Sequence, residues 1–226
     1  MAASNAKQAN LRKKNQKRGL TVPPILIFSV TNRCNLACRG CYACAQGRDL
    51  SGELDIRDIE KIITEAKALG TTIVLFAGGE PLVREGLLDI AAHHPQLLFL
   101  VFSNGLLFDA RAIEQIKANK HIIPVISLEG DEETTDARRG SGVYRAVMAT
   151  AQRLKVNRIV FGSSITLTSR NYDMVVNERF IRDLKEMGSL AVFMIEYVPE
   201  LFNRASRGKM STFPISQAMF MAVQLP

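Results

Sequence analysis

The sequence predicts an α/β protein in which six parallel strands alternate with five helices, on three observations. Apolar runs at residues 25–30, 72–77, 97–102, 122–128, 159–166 and 190–197 have the length and near-continuous hydrophobicity of buried parallel strands. Between them, residues 55–69, 85–93, 109–119, 143–156 and 173–187 carry apolar side chains at helical spacing. Short polar or glycine-rich motifs then follow the strands, at the ends where parallel α/β folds gather binding groups. Six such units form either an open sheet or an incomplete barrel.

The first strand stands behind Pro23–Pro24 and leads into a cysteine-rich loop. The helix after it aligns Ile56, Ile59, Ile62, Ile63, Ala66 and Leu69 on one face, and Gly70 suits its C-terminal stop. Each later strand ends in a motif of its own. These are Gly78–Gly79–Glu80–Pro81 after the second, Ser103–Asn104–Gly105 after the third, and Ser127–Leu128–Glu129–Gly130 at the fourth. The fifth contains Ser163–Ser164, and the sixth runs into Glu196–Tyr197–Val198–Pro199. Any one of these is ordinary turn chemistry. Six at one edge of a sheet describe a pocket. The organisation expected is a basic arm at 1–20, a core at 21–200 and a C-terminal segment at 201–226. In that last segment a sixth helix begins near Phe213–Pro214, and the apolar stretch 218–225 packs as a last helix or marks a cut in a longer parent.

The 226 residues suit one α/β domain, and 47% hydrophobic content allows a core without disulfide staples. The net charge of +7 sits largely in the arm, where Lys7, Arg12, Lys13, Lys14, Lys17 and Arg18 meet no acid. Such an arm reads first as a solvated, poorly ordered terminus, with nucleic acid, an acidic surface or an acidic protein as the partners it suits. The N-terminus has no apolar signal region and no run is long enough to span a bilayer, so a reducing cytoplasm is the expected setting, with no membrane partner.

In that setting the four cysteines carry the chemistry. Cys34, Cys38, Cys41 and Cys44 fall within eleven residues, a clustering that points to metal rather than disulfides. Three thiolates spaced Cys34-x3-Cys38-x2-Cys41 suit three irons of a cubane and leave the fourth iron open. With Cys44 added, a four-thiolate zinc site is the competing reading, although four ligands in so short a segment crowd one tetrahedral ion. Spacing alone leaves both open. The zinc alternative describes a non-enzymatic module whose basic tail binds nucleic acid.

The segment from Thr31 to Tyr42, with its cysteines at 34, 38 and 41, resembles the cluster loop of the radical S-adenosylmethionine (SAM) superfamily. Gly78–Gly79–Glu80–Pro81 resembles that superfamily's GGEP motif, and Ser103–Asn104–Gly105, Ser127–Leu128–Glu129–Gly130 and Arg138–Arg139–Gly140 resemble its third- and fourth-strand signatures. The likeness spans roughly residues 25–200. It implies a partial (βα)6, TIM-like barrel with a [4Fe–4S] cluster on Cys34, Cys38 and Cys41, whose open iron is chelated by SAM. An electron then cleaves SAM to methionine and a 5′-deoxyadenosyl radical that abstracts hydrogen from substrate.

The resemblance also assigns candidate contacts. Gly78 and Gly79 let backbone approach the methionine end of SAM, Glu80 offers acceptors to its ammonium, and Pro81 stiffens the turn. Ser127, Glu129 and Arg139 are candidates for the ribose and carboxylate, with helix capping or a salt bridge as the plainer roles. Ser103 and Asn104 contact the cofactor or hold their turn, and Tyr42 and Tyr197 are candidates near adenine. Two departures stand out. Many members place an aromatic residue before the third cysteine, where this chain has Gly40, and Cys44 is additional to the three-cysteine motif. The implied partners are a flavodoxin- or ferredoxin-type electron donor, which the basic arm would help to dock, and a peptide, protein or small cofactor precursor as substrate. The flanking sequence resembles members that continue into a SPASM or twitch domain with further cysteines.

Overall fold

The computed structural model describes residues 2–41, 43, 50–197 and 221–224. The first strand, β1 (Ile25–Thr31), is followed by α2 (Ile56–Leu69), β2 (Ile73–Gly78), a 3-10 turn at Pro81–Val83, α3 (Leu87–His93) and β3 (Leu98–Ser103). The order continues α4 (Ala110–Ala118), β4 (Ile122–Leu128), α5 (Glu132–Arg139), α6 (Val143–Val156), β5 (Phe161–Leu167), α7 (Tyr172–Val175), α8 (Glu178–Met187) and β6 (Ser189–Glu196). Strands β1 to β6 pair in chain order, all parallel. A seventh strand, β7 (Met221–Gln224), adds to β6 antiparallel.

The sheet curls. Phe102 on β3 and Phe193 on β6 share its inner face and meet edge-to-face with ring centroids 5.2 Å apart. In a flat sheet three strand spacings would hold them about 14 Å apart. The other face carries the core: Phe76, Phe99, Ile59, Ile63, Leu87, Ile116, Ile126 and Leu154 are fully buried between strands and helices. The sheet runs from β1 to β7 without closing, and the result is the expected partial barrel.

Local signals explain several helix ends. Asp55, Asp109 and Asp131 each cap a helix N-terminus by accepting from backbone N–H groups, and Gly70 and Gly188 end α2 and α8 at positive φ. The stretch 173–187 proves to be two helices, because Asn177 stops the first turn and caps α8. Helix α5 carries no periodic signal in the sequence. Its Glu-Glu-Thr-Thr-Asp-Ala-Arg-Arg string has no apolar stripe, and only Thr135 is fully buried in it.

Two expectations change. The basic arm is not loose where it is described: α1 (Ala2–Gln16) lies against α2, with Arg12 donating to Gly70 O, Asn15 donating to Leu69 O at 2.8 Å, and Gln8 buried. The helix is held because α2 ends in carbonyls that lack intrahelical partners, and the side chains of α1 satisfy two of them. The apolar C-terminal stretch is not a helix where it is described, since residues 221–224 pair as β7. The expected helix near Phe213–Pro214 lies outside the described residues.

Candidate active site

The C-terminal edge of the sheet is assembled by backbone contacts between neighbouring loops. After β1, Thr31 O accepts from Gly79 N at 2.7 Å and Arg33 O accepts from Glu80 N at 2.8 Å. These bonds lock the start of the cysteine loop to the turn after β2. Glycine is required for that approach: a Cβ on Gly78 would overlap Thr31 O, and one on Gly79 would overlap Arg33 O. The two glycines therefore admit the cysteine loop itself rather than leaving open space before the turn.

Glu80 is fully buried, and its carboxylate is engaged with protein. Oε1 accepts from Ser103 Oγ at 2.8 Å and Leu82 N at 3.1 Å, while Oε2 accepts from Asn104 N at 2.7 Å. Burial pushes the Glu80 carboxyl up, against the hydrogen bonds and the Arg139 charge that pull it down. The side chain expected to meet an ammonium group instead ties the turn after β2 to the turn after β3. Pro81 opens the 3-10 turn that Glu80 caps, a position where its missing N–H costs nothing.

Asn104 reaches from β3 to the cysteine loop, with Nδ2 2.7 Å from Asn35 Oδ1 and 3.8 Å from Cys34 Sγ. The thiols of Cys34, Cys38 and Cys41 are half-buried, and those of Cys34 and Cys41 lie close enough to act electrostatically on Cys38. Burial raises the Cys38 pKa, while Arg139 and Arg138 favour its thiolate. Among the described residues no three His, Cys, Asp or Glu side chains form a ready single-ion site, and Cys44 lies outside those residues. Three thiols brought near one another beside two arginines, with backbone fixing the loop on either side, fit a polynuclear anionic cluster.

Those arginines belong to α5, and both bind Glu129 at the end of β4. Oε1 of Glu129 accepts from Arg138 Nη1, from Arg139 Nε at 2.8 Å and from Arg139 Nη2 at 2.6 Å. Oε2 is buried and has no partner among the described residues. Arg139 is thus half of a buried ion pair. The cysteine loop is held here too, since Arg39 N donates to Arg138 O at 2.8 Å. Ser127 sits on the inner face of β4 in register with Ser164 on β5, whereas Ser163 turns the other way to donate to Ser189.

A cavity of about 1040 Å3 opens at the ends of β4, β5 and β6. Gly40 and Arg39 of the cysteine loop, Glu129, Arg138, Leu167 and Tyr197 are among its walls. The Tyr197 ring occupies the space that a side chain at residue 40 would fill. Tyr42 lies outside the described residues. Of the sequence-derived candidates, the structure brings Cys34, Gly78, Gly79, Glu80, Ser103 and Asn104 into one hydrogen-bonded set, and Glu129, Arg139 and Tyr197 to the neighbouring side of the loop.

One residue at the base of the site was not anticipated. Glu53 clasps the cysteine loop: its Oε1 accepts from Thr31 Oγ1 at 2.6 Å and Asn32 N at 2.8 Å, and its Oε2 pairs with Arg84 at 3.0 Å and Arg33 at 3.4 Å. Burial alone would raise its pKa, but the two hydrogen bonds and two guanidinium charges outweigh it and hold the carboxyl below its usual range. A glutamate twenty or more residues from its partners, outside any motif, offers no sequence signal.

The model of the radical SAM superfamily matches residues 28–176. The chain belongs to the radical SAM superfamily. Its radical SAM relatives include the Fe-coproporphyrin III synthase of Methanosarcina barkeri, 28% identical over 70% of this chain and 42% of that protein. The mycofactocin maturase MftC of Mycobacterium tuberculosis is 31% identical over 77% of this chain and 43% of its own length. This chain thus spans less than half the length of either. Among solved structures, Streptococcus suis SuiB bound to S-adenosylmethionine has the same fold, with a TM-score of 0.69 at 18% identity over 85% of this chain and 44% of SuiB. No helix among the described residues is long and apolar enough to cross a membrane.

Proposed function

We propose that this chain is the catalytic barrel of a radical SAM enzyme in which Cys34, Cys38 and Cys41 hold a [4Fe–4S] cluster. The observation that carries this is the backbone lock between the cysteine loop and the Gly78–Pro81 turn, which holds three neighbouring cysteine thiols at the barrel mouth beside the cavity. When bound, cluster and SAM together supply a 5′-deoxyadenosyl radical, formed with one electron from a flavodoxin- or ferredoxin-type donor.

The chain's own residues hold and shield that chemistry. Glu80 fixes the turns after β2 and β3 so that the cysteine loop has one register. Arg138 and Arg139 place positive charge beside Cys38 and so favour thiolate ligands. The orphaned Oε2 of Glu129 is a buried acceptor in the cavity wall, suited to a ligand hydroxyl such as those of the SAM ribose. Tyr197 gives the cavity a flat apolar wall suited to a purine. The substrate is a peptide, a protein or a small cofactor precursor; relatives named as a synthase and a maturase fit a substrate that is built or matured.

The docked α1 and the family match favour this reading over a zinc module with a free basic tail. Docking of the electron donor is assigned away from α1. That helix sits where α2 ends and β2 begins, separated from the cysteines by the length of β1, about 20 Å. The test is anaerobic reconstitution, followed by SAM and dithionite. About four irons per chain and release of 5′-deoxyadenosine are expected; colourless protein carrying one zinc and no iron would overturn the reading.

A further inference from the structure

We infer that Asn104 is a positioning residue that raises the reduction potential of the cluster by donating a hydrogen bond to Cys34 Sγ. This rests on the assignment of the three cysteines to a [4Fe–4S] cluster. The orientation of the Asn104 amide follows from its own contacts. Oδ1 accepts from Leu106 N at 3.0 Å, so the oxygen end of the side chain is identified and the NH2 end must face the cysteine loop. One Nδ2 proton goes to Asn35 Oδ1 at 2.7 Å, and the other is directed to Cys34 Sγ at 3.8 Å, within reach for a sulfur acceptor.

The amide is held there rather than sampling the site. Asn104 is 6% exposed, its N–H is bound by the buried Glu80, and Ser103 beside it donates to the same carboxylate. Cys34 Sγ also receives Leu36 N at 3.4 Å. Of the two other thiols, Cys38 is instead influenced through the charges of Arg139 and Arg138. Adding an electron to a thiolate-ligated cluster increases negative charge on its sulfurs, and an N–H aimed at one of them stabilises the reduced form more than the oxidised one. The motif after β3 thus acts on the electron affinity of the site through Cys34.

Potentiometric titration of the reconstituted full chain, followed by electron paramagnetic resonance of the reduced cluster, tests this in wild type, Asn104→Ala, Asn104→Asp and Asn35→Ala. Asn104→Ala should shift the midpoint to lower potential with iron content retained. Asn104→Asp, which keeps the acceptor for Leu106 N but sets an oxygen against the sulfur, should shift it further. Asn35→Ala removes the neighbouring contact and keeps the donor, so its midpoint should not fall. Unchanged midpoints in both Asn104 variants at full iron content would overturn the inference, as would an equal fall in Asn35→Ala. Should the Asn104 variants fail to load, the wild type decides: hyperfine spectroscopy should resolve at least two exchangeable amide protons near the reduced cluster, and a single one overturns the assignment. Failure of the wild type to load four irons would instead strike the underlying reading of the cysteines.

Discussion

The hydroxyl of Tyr197 stands 2.5 Å from where a Cβ on residue 40 would lie, so glycine at 40 and tyrosine at 197 occupy one volume between them. Gly40 also has φ of +66°, in the left-handed region. Gly40→Ala should therefore destabilise through both backbone and contact, by about 1–2 kcal/mol for the backbone alone. Adding Tyr197→Ala should recover only the contact part. Thermal melts of the two single variants and the double variant give the coupling; strict additivity would show that the two residues do not share this space.

The clasp at Glu53 makes loop stability pH-dependent. Its carboxyl is held below its usual pKa, so the stabilisation is fully present above the unfolded value and is lost as pH falls through the folded one. Glu53→Gln should flatten the acid limb of a stability profile below about pH 4.5. Glu53→Ala should cost about 1.5–3 kcal/mol at neutral pH, as expected for hydrogen bonds to a charged group. Denaturant titrations across pH check both.

Removing one partner of the buried pair at the end of β4 leaves charge without compensation. Glu129→Ala strands two arginines and should cost about 3–5 kcal/mol. Glu129→Gln retains an acceptor and should be milder in stability, yet weaken SAM binding to the loaded protein. Calorimetric titration with SAM measures the second effect, and unchanged affinity would remove Glu129 from the binding site.

A methyl group at residue 79 has nowhere to go, because the atom it meets is backbone. Gly79→Ala should push the cysteine loop off the turn after β2, at a cost of about 1–3 kcal/mol. Iron content after reconstitution should fall with it, whereas Gly52→Ala, which meets nothing within 4 Å, should load normally.

Deleting residues 1–18 should lower stability and leave the rate of cluster reduction by a flavodoxin unchanged, even at low salt. The basic helix lies on the edge of the sheet opposite the cysteines. A slowed reduction would return it to the donor-binding surface.

What the sequence determined by itself was whatever is written in short range. Apolar runs and helical spacing gave the order of β1 to β6, because burial on both faces of a parallel strand imposes an unbroken hydrophobic string. The three thiols and the Gly-Gly pair were legible as motifs, since ligand type and backbone freedom are properties of single residues. The tertiary structure decided the partnerships. It turned Glu80 and Arg139 toward protein, made Gly78 and Gly79 a seat for the cysteine loop, docked α1, and brought Glu53 to Thr31 and Tyr197 to Gly40. Each of these joins residues on separate loops or helices, and nothing in a local pattern records which distant group will satisfy a buried donor or fill a missing side chain. The opened question at Gly40 is a case in point: the sequence marks an absent aromatic ring, and only the fold shows the ring of Tyr197 arriving from β6 to take the space.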